Sequence, residues 1–329
     1  MYDDKRYERI QKRLFRRAKI SKQDTEPVIK EKLLKFAESK RENYNLIVVL
    51  PKNLISNAKF MLDLYRVNPD LIDVLEPNKV ESPLANNVNF MVEYVKLAYK
   101  VNTERHKKHY IVLKPRNELL WALQNCSNLL LNPEFIQKLA KTFPEVNVFD
   151  VAEAKIVRVD GREEEIQMFN EMLNQLPKEF VEEQVSKFGA KVLLTLPHGY
   201  EGFDKLIALG VKKDGFKSLR LFPIDKITKN KNLIVEAYKV DGREALKDYV
   251  NNGLSPFRSV RLKFNNIYAD AEYENYFDAG IDKIQTEILR DKEISDLLNG
   301  KEVDKTEVKK PIYDFAQSTE IQNVQIRNK

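Results

Sequence analysis

Asp150, Glu153 and Lys155 come nearest to a set of residues that could carry out a reaction. In metal-dependent phosphodiester hydrolysis two carboxylates hold a divalent cation and a lysine steadies the attacking water. Asp150 followed by Glu153-Ala154-Lys155 has those types, and the trio is expected on or beside a strand. Such short combinations arise easily in a chain that is 32% charged, so a nuclease-like enzyme is the alternative reading here. Asp270, Glu272, Glu274 and Asp278 offer oxygen ligands for a hard cation. They read more simply as the acidic start of a helix over 273–299, where negative charge complements the helix dipole.

The remaining chemistry is sparse. His106 and His109 lie three apart in a basic link (105–109) expected to be a solvated loop, and His198 is the only other histidine. With one cysteine, Cys126, the chain has no material for a cysteine-built zinc site or an intrachain disulfide. Cys126 falls in an apolar helical stripe and is expected to be a buried, inert thiol. No Gly-x-Ser-x-Gly elbow and no P-loop pattern occurs, so 197–202 reads as a turn. No metal and no cofactor is expected, and the chain leans away from catalysis.

The strongest signal is electrostatic. The first twenty-two residues carry nine basic and three acidic side chains, a surplus of +6 that equals the net charge of all 329 residues. Residues 23 to 329 are therefore balanced. Tyr7, Ile10, Leu14 and Ala18 recur at helical spacing on the same segment, with Phe15 beside them. Three readings compete: a solvated helix docked by its stripe, an arm on DNA or RNA and, well behind these, a helix on a membrane surface. Clustered cations gain affinity for phosphates by displacing counterions, which makes Arg6, Arg9, Lys12, Arg13, Arg16 and Arg17 the candidate nucleic-acid contacts.

Repeats suggest how the rest is built. Residues 48–75 align without gaps on 112–139, matching Pro51 to Pro115, Lys52 to Arg116 and Asn68-Pro69 to Asn132-Pro133. Each copy reads as a buried strand (46–50, 110–113), a Pro-basic-Asn turn and an amphipathic helix. A second helix then starts at the Asn-Pro, with Asn as cap and Pro at the first position. A second echo, at offset 81, places Asp160-Gly161-Arg162-Glu163 and Asp241-Gly242-Arg243-Glu244 after apparent strands. Asp with Glu three residues on reads as a capping box that opens a helix. Further strands are expected at 191–196, 217–222, 233–240 and 259–270.

The expected fold is therefore mixed α/β: repeated strand–helix units near 45, 109, 155, 191 and 233, sheets covered by helices, and antiparallel pairing in the C-terminal half. The expected regions are a basic helical segment (1–44), duplicated strand–helix–helix units (45–147), a second α/β region (148–300) and an extended polar tail (301–329). Ten glycines is few, which favours helices. No apolar run is long enough for a membrane span and the N-terminus lacks a signal-peptide core, so a cytoplasmic, intracellular protein is expected. Taken together, these features suggest a non-enzymatic structural or assembly protein of a larger nucleic-acid-containing complex. It would self-associate or bind protein partners through its two ends.

Overall fold

The computed structural model describes residues 4–39, 49–78, 80, 82–124, 126–156, 163–197, 199–221, 230–253 and 285–301. Of these, 76% are helical and none lies in a strand, which overturns the α/β expectation. The described residues form two compact units, one of 1–181 with 195–200 and the other of 182–194 with 201–329.

The first unit begins with α1 (Asp4–Arg17) and α2 (Glu26–Ser39), followed by a series of short and long helices. Three of its helices start from the same device. Asn57, Asn87 and Asn132 each accept the amide N–H of a phenylalanine three residues on, at 2.9, 3.0 and 3.2 Å. Those rings, Phe60, Phe90 and Phe135, are buried. One tetrapeptide thus satisfies a helix N-terminus and anchors its first turn in the core. Tyr65 and Tyr94 meet edge to face at 5.5 Å, and their hydroxyls donate to the Leu75 and Ile72 carbonyls.

The offset-64 match survives in its caps and fails in its elements. Asn68 and Asn132 both accept the N–H two residues on and both precede a proline. Asn68 opens the four-residue 3-10 turn Pro69–Ile72, whereas Asn132 opens the ten-residue helix Pro133–Thr142. The second copy lacks its strand, and the described part of the first shows none. Val49 and Leu50 lie in a turn, 46–48 fall outside the described residues, and 110–113 is an exposed link.

The second unit is built on glycines. Gly189 and Gly215 share one unusual backbone, φ 57° with ψ −131° and −130°, which only glycine adopts without strain. Each starts a four-residue helix, Ala190–Leu193 and Phe216–Leu219, and each of these is capped from a distance. The Asp214 carboxylate accepts the Ala190 N–H at 2.9 Å, and Asp241 accepts the Phe216 N–H at 2.8 Å. Asp241 is thus no capping box for its own helix. It reaches back across the unit, while Gly242 (φ 80°) kinks the Asn232–Asp248 helix. The first Asp-Gly echo and the strand expected at 259–270 fall outside the described residues.

The other expected strands are helical for the same physical reason. Residues 233–240 lie inside Asn232–Asp248, with Leu233, Ile234 and Ala237 buried at helical spacing. Residues 191–196 and 217–221 hold the short helices named above and their turns. A brief apolar run has no intrinsic mark that separates a strand from a buried helix. Near 155 the described chain is helical, Val148–Ile156, and the strand expected directly before Asp160 falls outside the described residues. The C-terminal helix is interrupted at Arg290-Asp291, where Asp291 caps Lys292–Leu298. Of the tail at 301–329, only Lys301 is described.

Candidate nucleic-acid interface

Helix α1 divides its sides cleanly. At about 100° per residue, Arg6, Arg9, Lys12, Arg13, Arg16 and Arg17 fall within an arc of roughly 140°. Tyr7, Ile10, Leu14 and Ala18 occupy a separate, adjoining arc of roughly 80°. Leu14 is 0% exposed and Ala18 is buried; the Tyr7 hydroxyl donates to the Leu50 carbonyl at 2.7 Å, and the Gln11 amide approaches that of Val49 at 3.4 Å. Full burial of one leucine stabilises by about 1.5–3 kcal/mol, so this stripe fixes the helix to the first unit. α1 is a docked helix.

The cationic side of α1 is turned to solvent. Arg6, Arg9, Lys12, Arg13, Arg16 and Arg17 are all exposed. Lys12 meets Glu8 at 3.8 Å, an exposed pair of small energetic weight. Arg6 and Arg17 are separated by about 16 Å along the axis. A left-handed residue, Lys19 (φ 56°), ends the helix, with the Ile20 N–H returning to the Phe15 carbonyl at 2.8 Å. The docked stripe and the exposed cations are thus different sides of one helix.

The candidate hydrolytic trio is arranged differently from its expectation. Asp150, Glu153 and Lys155 all sit on the Val148–Ile156 helix. Helical spacing places Glu153 and Lys155 roughly 200° apart, so the lysine does not face the pair of carboxylates. Asp150 accepts both arms of the Arg116 guanidinium, and this hydrogen-bonded pairing raises the guanidinium's pKa further. Lys155 lines a shallow cavity of about 260 Å³ with Leu120, Trp121 and Gln124. Among the described residues no group of three or more His, Cys, Asp or Glu side chains could hold a metal ion.

Two further residues stand elsewhere than expected. His106 lies in the last turns of Val88–Lys108, not in a loop, and its Nδ1 is 2.9 Å from the carboxylate of buried Glu118. His109 is exposed at the helix end. Cys126 is buried between helices, not within one, and burial pushes its thiol up to about 12. No protein-family model, curated protein or solved structure matches this chain. Among the described residues no helix is long and apolar enough to cross a membrane.

Proposed function

We propose that this chain is a non-enzymatic scaffold of a nucleic-acid-containing assembly, and that the exposed side of α1 lies along a phosphate backbone. The observation that carries this reading is the pairing of two features on one helix. Its apolar stripe is fixed to the body, so its six cations are presented in a constant orientation. Ordering a free arm on nucleic acid costs conformational entropy, and a docked helix has met most of that cost beforehand. The charge balance of the remaining chain concentrates the long-range attraction on this one face.

The test is a salt titration of binding to labelled duplex and single-stranded oligonucleotides, followed by fluorescence anisotropy. The full chain is compared with the double variant Arg13→Glu/Arg16→Glu, whose side chains are exposed and leave the docked stripe intact. The expected result is a log K that falls linearly with log salt, with a slope shallower by about 1.8 on duplex DNA in the variant. Equal slopes would leave α1 as a surface for protein. Mg²⁺-dependent cleavage that disappears in Glu153→Ala would instead identify an enzyme.

A further inference from the structure

The helix Val88–Lys108 ends on an unfavourable residue. The Tyr110 N–H reaches the Lys107 carbonyl at 3.1 Å, the Ile111 N–H reaches that of His106 at 2.9 Å, and Tyr110 itself stands at φ 58°. Glycine is the usual occupant of this left-handed position, because a β-carbon there is strained. Tyr110 gains no packing in return, being 95% exposed. Strain held without an internal benefit points outward.

The residues that follow have the features of an unpaired strand. Exposure alternates, with Ile111 at 46% and Val112 at 93%, then Leu113 half-buried and Lys114 exposed. The Ile111 N–H is already engaged on one edge. On the other edge the Tyr110 carbonyl, both polar groups of Val112 and the Lys114 N–H have no partner among the described residues. The sequence Tyr-Ile-Val-Leu has high strand propensity, yet the described residues supply no neighbour for it.

Charge narrows the choice of neighbour. No acidic residue occurs between Glu104 and Glu118. Arg105 is held by Asp70 and Asp73, and Arg116 by Asp150. Lys107, Lys108 and Lys114 are exposed, with no ion partner among the described residues. We infer that Tyr110–Lys114 is a docking edge for an extended acidic peptide, which adds to it as a strand and sets carboxylates against these three lysines.

Other occupants fit less well. A membrane would leave the free backbone groups without hydrogen bonds. Nucleic acid finds one aromatic face but no stacking surface on Ile111 or Val112. A second copy of the same edge would bring lysine against lysine.

The probe is a fluorescein-labelled octapeptide of alternating glutamate and valine, titrated onto the full chain. The expected result is saturable binding, weakened about tenfold or more by Val112→Pro, which deletes the edge donor, or by N-methylation of alternate peptide residues. Lys107→Glu/Lys108→Glu/Lys114→Glu weakens it as well, and Arg13→Glu/Arg16→Glu does not. A lysine–valine octapeptide does not bind. The inference is overturned by absent binding, by equal binding of the Val112→Pro protein, or by lysine-dependent binding of phosphatidylserine vesicles or an oligonucleotide in place of the peptide. It is also overturned by concentration-dependent self-association that the same lysine substitutions strengthen.

Discussion

Tyr249 is fully enclosed, with its ring 4.9 Å from that of Phe216 and its hydroxyl without a hydrogen-bond partner among the described residues. Burial raises the pKa of this phenol, and of Tyr65 and Tyr94, while the Cys126 thiol is pushed up to about 12. In each case the folded state holds the proton more tightly than the unfolded chain, where a thiol ionises near ~8.5 and a phenol near ~10. Their contribution is therefore intact below about pH 8.5 and is lost as pH rises through the folded values. Urea unfolding should show a midpoint that falls steadily from about pH 8.5 upward. Cys126→Ala and Tyr249→Phe should each make that fall shallower, and Tyr249→Phe should not weaken the protein at neutral pH, since it removes an unpaired buried hydroxyl. A midpoint independent of alkaline pH would mean that these groups are hydrated in solution.

The helices of the second unit depend on side chains that come from far along the chain. Removing the Asp241 carboxylate exposes the N-terminus of Phe216–Leu219 and leaves a buried N–H unsatisfied. Asp241→Ala should therefore cost about 1–2 kcal/mol and speed hydrogen exchange at the Phe216 amide, with Asp241→Asn close to wild type. The Asp-Gly pair reads as a cap for the helix that follows it, whereas Asp241 caps Phe216–Leu219, because a capping box is local and this contact spans 25 residues. Caps formed within three residues, such as Asn132, were legible. So was the α1 stripe, of which Leu14 and Ala18 are buried and Tyr7 and Ile10 half-buried. The strands were misread because Leu-Ile-Val runs satisfy both periods over so few residues, and only the tertiary partner decides. At the candidate site the sequence supplied the charges. It did not supply the docking that orients them, nor the exposed edge after Val88–Lys108, which was read as buried.

At the scale of the whole chain, charge and packing are distributed unequally. The net charge resides in the first twenty-two residues while residues 23 to 329 are balanced, so the rest of the chain adds little long-range steering of its own. Raising ionic strength should leave the urea midpoint nearly unchanged while it abolishes nucleic-acid binding. Parallel measurements at about 0.1 and about 1 M salt would separate the two, since screening acts on exposed charges far more than on buried contacts. A stability that fell together with binding would show that the cations of α1 also hold the fold.

The glycine spacing has a consequence for how such a chain can grow. Gly189, Gly215 and Gly242 follow one another at 26 and 27 residues, and the echo at offset 81 is three such steps. Because each aspartate grips the segment one step behind it, a tandem insert of 215–241 after Asp241 would carry its own clasp. The inserted Phe216 would stand before Tyr249 as the original does now. The lengthened protein should fold with added helicity by circular dichroism and keep the original contacts at both seams. Length would then be a variable that duplication changes in whole modules, without redesign of any junction.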